Sequence, residues 1–421
     1  MQVLLHLGET PHKELALTEI ITDLRAHAPQ LHKVSIETLL CFMDAASEAL
    51  TARASGGVHP FKSLGEFIKK ENLSRMLAFS LRGDYHVLDE FTEYPGIEQL
   101  LHCQPRGLAA HWLAGNVSAL GLYSFIQTLL TKNVSILKAS RHGYEELLTL
   151  FSILRSINIP ALSGEELCKS VSVILIDNED RQNHEMLSRA ADIRIAWGGQ
   201  EAISAILSLP REYWCEDIIY GPKYSFAVID KRGLERHRIL AQRLAFDICM
   251  FDQYACSSPH TVFIEEGGPI SVREFGDELA AALEMVSTKF LPKQDRDPNR
   301  SAQILATRAK YQMTGTVLAS SSLEWTVVIS REDGLADPIF SRVIFLRTVD
   351  DIRSVVQYVN RRKQTLGVAL SGENRKELLD ALTLSGIDRC PPFGEMTRFE
   401  SPWDGMFAID RMVRWVSASK D

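Results

Sequence analysis

The sequence predicts an α/β fold built on parallel sheets, and three observations predict it. From about Gly107 onward, short apolar runs alternate with amphipathic segments at helical spacing, the pattern of adjacent strands covered by helices. At 421 residues the chain exceeds what one core usually holds, so two domains are expected. The first hundred residues stand apart, because they read mainly as helix.

Within that helical region, Val34 to Arg53 sets apolar residues at helical spacing behind Ser35, a candidate cap. Ser63 followed by Glu66 has capping-box spacing, with Leu64, Phe67 and Ile68 on one face. The alternation then runs as helix 117–131, strand 134–137, helix 144–157, strand 171–176, helix 184–191 and strand 193–197. The turn Tyr220-Gly221-Pro222-Lys223 is the expected domain boundary. Beyond it come strand 225–229, helix 234–251, strand 261–264 and helix 272–288. The polar, proline-containing stretch from Pro292 to Arg300 reads as a surface loop. Strands at 325–329 and 342–346, helix 349–361, strand 366–370 and helix 375–384 complete the pattern.

Composition excludes several classes. A formal charge of −8 gives no electrostatic case for nucleic-acid binding. No apolar run approaches the roughly eighteen residues of a membrane helix, so no membrane span is expected. Met1-Gln2-Val3-Leu4-Leu5-His6 is too short for a signal h-region and lacks a basic flank. The seven cysteines are odd in number and scattered, with no CxxC or CxxH. That argues against a disulfide framework or any metal site and fits a reducing cytoplasm. GxGxxG, GxxxxGK[ST], HExxH and GxSxG are all absent.

What remains is a set of polar turns next to strands. Cys256 lies in Phe251-Asp252-Gln253-Tyr254-Ala255-Cys256-Ser257-Ser258-Pro259, between a helix and a strand. A thiol there can place its sulfur near solvent and its own N–H near a substrate carbonyl, which suits covalent acyl chemistry. The alternative is a small buried apolar group. His260, just beyond, reads as an ordinary surface histidine. Asn116 ends His111-Trp112-Leu113-Ala114-Gly115-Asn116 before a helix, as an oxyanion donor or simply an N-cap. Lys138 and Ser140 end the next strand as Lys138-Ala139-Ser140. The lysine amine either reaches ribose hydroxyls or a phosphate, or is a solvated strand-end group. Gly198 and Gly199 follow another strand and either admit a phosphate to backbone N–H groups or make a tight turn.

In this order the motifs resemble the aldehyde dehydrogenase superfamily, from roughly Gly107 to the C-terminus. In that family an Asn starts a helix and a Lys-Pro-Ser or Lys-Ala-Ser motif ends the next strand; here the interval is 138 − 116 = 22 positions. Gly198-Gly199, the boundary turn Gly221-Pro222-Lys223 and Cys256 follow in the family's sequence. His-Trp-Leu-Ala-Gly-Asn-Val, Ile-Ala-Trp-Gly-Gly-Gln-Glu-Ala-Ile, Ala-Cys-Ser-Ser-Pro and Pro402-Trp403-Asp404-Gly405 are similar to the LuxC-type long-chain acyl-CoA reductases, the fatty-acid reductase component of bacterial luminescence.

The resemblance implies an aldehyde dehydrogenase-like fold. A helical region over 1–100 would pack on a nucleotide-binding α/β domain over 101–220, to which 396–421 returns, with a catalytic α/β domain over 221–395. It also implies reduction of an acyl thioester to an aldehyde, with Cys256 as nucleophile and Asn116 as oxyanion donor. NADPH would be the cofactor, contacted by Lys138, Ser140, Gly198 and Gly199. Acyl-CoA or an acyl-carrier or acyl-transfer protein would be the donor, and the protein would be a homo-oligomer.

Two departures matter. Where hydrolytic members carry a water-activating glutamate before the Gly-Gly-Lys turn, this chain has Ile218-Ile219-Tyr220. Without that base an acyl-cysteine would outlast water. Near Asp337-Pro338-Ile339-Phe340-Ser341, Pro338 takes the place of a glutamate that holds the nicotinamide ribose. The rival readings are a hydrolytic NAD(P)-dependent aldehyde dehydrogenase using Glu216 or Asp217 as base, and a non-catalytic relative that binds acyl groups or a partner.

Overall fold

A computed structural model describes residues 1–53, 60–115, 120–141, 143–295, 297–371 and 375–420. The chain divides into two compact units, Met1–Gly221 with Glu400–Asp421, and Pro222–Phe399.

Among the described residues, the first unit centres on a six-stranded sheet. Its strands are β1 (Gln2–His6), β2 (Leu108–Trp112), β3 (Val134–Lys138), β4 (Val171–Leu175), β5 (Ile193–Trp197) and β6 (Glu216–Tyr220). The spatial order is β1-β4-β3-β2-β5-β6, with β1 antiparallel on the edge and the other five parallel. Because helices cover both faces, these strands bury residues of both parities: all five of β2 and all five of β5. Helices Leu17–His32 and Arg181–Ala190 pack together against the sheet, and helix Leu120–Leu130 packs on β2 and β3. The strand 413–418 pairs with 100–105 in a separate three-stranded sheet.

The second unit repeats the principle. Its strands are β7 (Tyr224–Ile229), β8 (Pro259–Glu265), β9 (Thr316–Ala319), β10 (Thr326–Ser330), β11 (Val343–Val349) and β12 (Lys363–Ala369). They lie in the order β9-β10-β11-β8-β7-β12, all parallel except β9. Phe226, Phe263, Val355, Leu366 and Leu382 form one core layer, and Ile304, Tyr311, Val328 and Phe345 another.

The structure departs from sequence expectation in identifiable places. β1 arises inside the region read as mainly helical, because five residues are too few to display a period. The loop expected over Pro292 to Arg300 gives way to a helix from Pro298 to Thr314, whose N-cap Asp297 accepts from the Asn299 N–H and whose first residue is proline. The helix expected over 349–361 is a strand ending at Val349 followed by a 3₁₀ turn, Ile352–Tyr358.

One polar group is fixed deep in the first unit. Arg194, fully buried on β5, donates to both carboxylate oxygens of Asp217 on β6 at 2.6 and 2.8 Å, and to Ser188 Oγ at 2.9 Å. Removing one member of a buried pair strands the other. Asp217→Ala, which leaves the fully buried Arg194 guanidinium without a counter-charge, is expected to lower the unfolding free energy by about 3–5 kcal/mol, read by urea denaturation.

Candidate active site

Strand polarity decides where chemistry can gather in the first unit. Chain order runs outward from β2 through β3 to β4, then resumes on the other side at β5 and β6. At such a reversal a crevice opens beyond the carboxyl ends of the central strands, and ligands of parallel α/β sheets bind there. Lys138 ends β3 and Gly198-Gly199 follow β5, so Lys138, Ser140 and both glycines lie along this one edge. Asn116 lies outside the described residues. Cys256 belongs to the second unit.

The edge offers groups that an anionic ligand would use. Lys138 is half-buried, and burial lowers its pKa against the opposing pull of Asp177. A side chain at Gly199 would meet nothing within 4 Å, so a ligand can approach the backbone there. A Cβ at Gly198 would stand 3.1 Å from the Ala202 Cβ, which explains the missing side chain in a turn folded on its own helix. Gly199 caps helix Gln200–Leu207 with no side-chain bond to the first N–H groups. These are the groups an anion would use.

The far end of the edge is filled by aromatic rings. Tyr220, at the carboxyl end of β6, is buried and stacks on Trp197 with ring centroids 3.7 Å apart. Trp197 Nε1 in turn donates to Ser124 Oγ at 2.7 Å. The carboxylates nearest in sequence lie at the opposite end of β6. Glu216 accepts from Arg411 Nε at 2.7 Å and pairs with Arg106 at 3.5 Å, while Asp217 is held by Arg194 and Arg211.

In the second unit, Cys256 lies half-buried on a turn at the amino end of β8. Helix His237–Cys249 stops where Phe251, Asp252 and Gln253 adopt left-handed backbone (φ 53°, 50° and 67°). A second such run, Phe340, Ser341 and Arg342 (φ 60°, 53° and 67°), leads into β11. Non-glycine residues in this region each cost roughly 1–3 kcal/mol unless their surroundings hold them there. Here the two runs hold each other. The Ser341 N–H donates to the Asp252 carbonyl at 2.8 Å, and Arg342 meets the Asp252 carboxylate at 2.6–2.7 Å. The second carboxylate oxygen accepts the N–H groups of Gln294 and Asp295, both at 2.8 Å, and Arg342 also donates to Ser287 Oγ.

On its other side the turn is tied to the sheet. Ser225 Oγ donates to the Cys256 carbonyl at 2.7 Å and accepts from the Thr365 N–H at 3.2 Å. Gln253 Nε2 donates to the carbonyls of Pro259 and Val343. All seven cysteines are outside disulfides.

Sequence reasoning passed over Asp252 and Arg342. An arginine opening the run Arg342-Val343-Ile344-Phe345-Leu346 was the available signal, since a charge entering a buried strand needs a partner. His260 is a correction. It is buried on β8, an interior strand covered on both faces, with Phe340 edge-on at 5.1 Å and Tyr224 at 5.5 Å.

Burial pushes the His260 pKa down to about 4, and that of His111, buried on β2, down to about 3. Both stay neutral in the folded chain, whereas the unfolded chain takes up a proton near pH 6.5. Their contribution to stability is therefore complete above about pH 6.5 and lost as pH falls toward each folded value. His260→Phe is expected to flatten the stability profile between about pH 6.5 and 4 by up to ~1.4 kcal/mol per pH unit relative to the parent, measured by chemical denaturation across that range. Asp252→Ala leaves Arg342 buried without its counter-charge and is expected to destabilise by about 3–5 kcal/mol. Denaturation gives the loss, and thiol-labelling rates at Cys256 report whether the turn has loosened.

A sequence model of the family described as acyl-CoA reductase (LuxC) matches residues 19–415. The long-chain acyl-protein thioester reductase of Aliivibrio fischeri is 30% identical over 344 residues, 80% of this chain and 68% of that one. Its counterpart in Vibrio harveyi is 28% identical over 342 residues, 80% and 68%. Among solved structures, P. syringae AldA indole-3-acetaldehyde dehydrogenase superposes with TM-score 0.69 at 14% identity, covering 99% of this chain and 96% of its own. 3,6-anhydro-L-galactose dehydrogenase gives 0.65 at 13%, covering 99% of each. The fold is that of the aldehyde dehydrogenases, and the match across nearly the whole sequence places the chain in the acyl-CoA reductase (LuxC) family.

Proposed function

We propose that the protein reduces an acyl thioester to an aldehyde with NADPH, through an acyl-cysteine on Cys256. The Cys256 thiolate attacks the thioester carbonyl, its sulfur bonds to the acyl carbon, and the donor thiol leaves. The Cys256 N–H and the Asn116 amide stabilise the oxyanion; losing one such donor costs about 3 kcal/mol of transition-state stabilisation. When bound, NADPH would supply a hydride to the acyl carbon; the bond from that carbon to the Cys256 sulfur then breaks, freeing the aldehyde and restoring the thiolate. Lys138 and Ser140 take the adenosine ribose, and the Gly198-Gly199 turn takes the pyrophosphate. The Lys138 ammonium can meet either plain ribose hydroxyls or a 2′-phosphate, and NADPH is taken from the family resemblance. The donor is acyl-CoA or an acyl-protein; the names of the relatives favour the protein-bound form.

The observation that carries reduction over hydrolysis is the carboxyl end of β6. Ile218-Ile219-Tyr220 stands where hydrolytic relatives carry the water-activating base; its one ionisable group, the Tyr220 phenol, is buried against Trp197, and burial raises its pKa, so it stays protonated. Glu216 and Asp217, the nearest substitutes, are committed to arginines at the strand's other end.

The test follows NADPH absorbance on addition of acyl-CoA and acyl-protein thioesters of increasing chain length. Oxidation with aldehyde formed, reduced at least about a thousandfold in Cys256→Ala, is the expected result. Acid formed from aldehyde without a thiol would establish the hydrolytic reading. Activity surviving in the variant would remove Cys256 as nucleophile.

A further inference from the structure

We infer that His184 is a positioning residue of the dinucleotide site, bridging β2 to the turn after β4 and fixing how Lys138 presents its ammonium to the ribose. The inference rests on the reading that the β3 edge binds NADPH. Trp112, Lys138 and Ile174 are direct ladder partners across β2, β3 and β4, so their side chains stand in one row on one face. His184 lies on helix Arg181–Ala190, which begins shortly after β4. Trp112 Nε1 donates to His184 Nδ1 at 3.1 Å, at one end of the row. The backbone carbonyl of Asp177, three residues beyond Ile174, also acts on the ring, as an acceptor that raises its pKa. Rooted on the helix after β4 and bonded to Trp112 on β2, the imidazole reaches across the row in which Lys138 stands on the intervening β3.

This arrangement dictates the protonation state. An indole N–H only donates, so Nδ1 must accept, and the ring proton belongs on Nε2. A proton on Nδ1 would face the indole donor and add a cation beside the Lys138 ammonium. Burial first, then that ammonium, lower the His184 pKa, while Asp180 and the Asp177 carbonyl oppose. A neutral, tautomerically fixed ring beside a half-buried lysine restricts the amine without neutralising it. Asp177 is itself engaged by Arg141, which limits its capture of Lys138. By sequence alone, His184 marks only the start of a helix.

A double-mutant cycle on NADPH affinity, measured by nucleotide fluorescence in the full chain, tests this. His184→Asn keeps an acceptor for Trp112 near the Nδ1 position and so protects the packing, but it cannot span the row. It is expected to weaken NADPH binding about tenfold when Lys138 is present and by less than about twofold in a Lys138→Met background. His184→Phe, which keeps the ring and loses both nitrogens, is expected to behave the same way if His184→Asn folds poorly. Equal losses in both backgrounds would overturn the positioning role and leave the cofactor reading intact. A parent protein that binds NADPH no better than it binds inorganic phosphate, or a Lys138→Met variant that binds as well as the parent, would overturn both.

Discussion

The ion pair between Asp252 and Arg342 is the constraint on which the second unit's site depends. Two runs of left-handed backbone are each unfavourable, and neither contains a glycine to relieve it. They persist because one carboxylate satisfies a guanidinium, two backbone N–H groups of the 294–295 segment and, through its own main chain, the opposing run. Tyr254, two residues before Cys256, lies flat against Phe340 with an interplanar angle of 2°, so the two turns also meet through aromatic faces. Helix, strand and turn are thereby locked ahead of the thiol. As the proposed nucleophile, Cys256 would lose little entropy on meeting substrate, because the fold has already restricted its turn.

The first unit solves a different problem, holding a charged group half-buried at a sheet edge. Parallel strands with apolar residues on both faces force their polar groups to the ends. The carboxyl ends collect Lys138, Trp112 and the glycine turn, whereas the amino ends collect the Arg194, Asp217, Glu216 and Arg411 network. One sheet therefore carries its structural charges and its candidate ligand groups at opposite edges. The carboxylates of β6 serve the first set alone.

Much of the fold was legible because its elements are long and periodic. Strand Ile193–Trp197 and the helix beginning at Val272 stand where their apolar spacing puts them. The misses have physical causes. β2 carries His111 and Trp112 in a five-residue run too short to show a period. Helix Pro298–Thr314 hid behind a polar entry that is its own cap. His260 looked exposed because polarity was read without knowing that β8 is interior. For the site, motif order singled out Cys256, Lys138 and the glycines, but the groups that hold them were invisible. Asp252 and Arg342 are 90 residues apart, and Trp112 and His184 are 72 apart. No local pattern announces a partner at that distance.

The connectivity of the two units has a consequence for how the chain assembles. The second unit is one continuous stretch, Pro222–Phe399, so all its strands leave the ribosome in succession. The first unit is not continuous. Strand Val413–Ala418 pairs with Leu100–Pro105, which is synthesised before the whole second unit. Until 413–418 emerge, the edge of Leu100–Pro105 that will face them is unpaired along its whole length, while Thr92–Glu93 pairs with one end of the opposite edge only. Domains generally fold as units during synthesis, in chain order. Here the unit begun first is the one completed last, and its open strand must wait in the nascent chain, exposed to wrong partners, while the thiol-bearing unit folds.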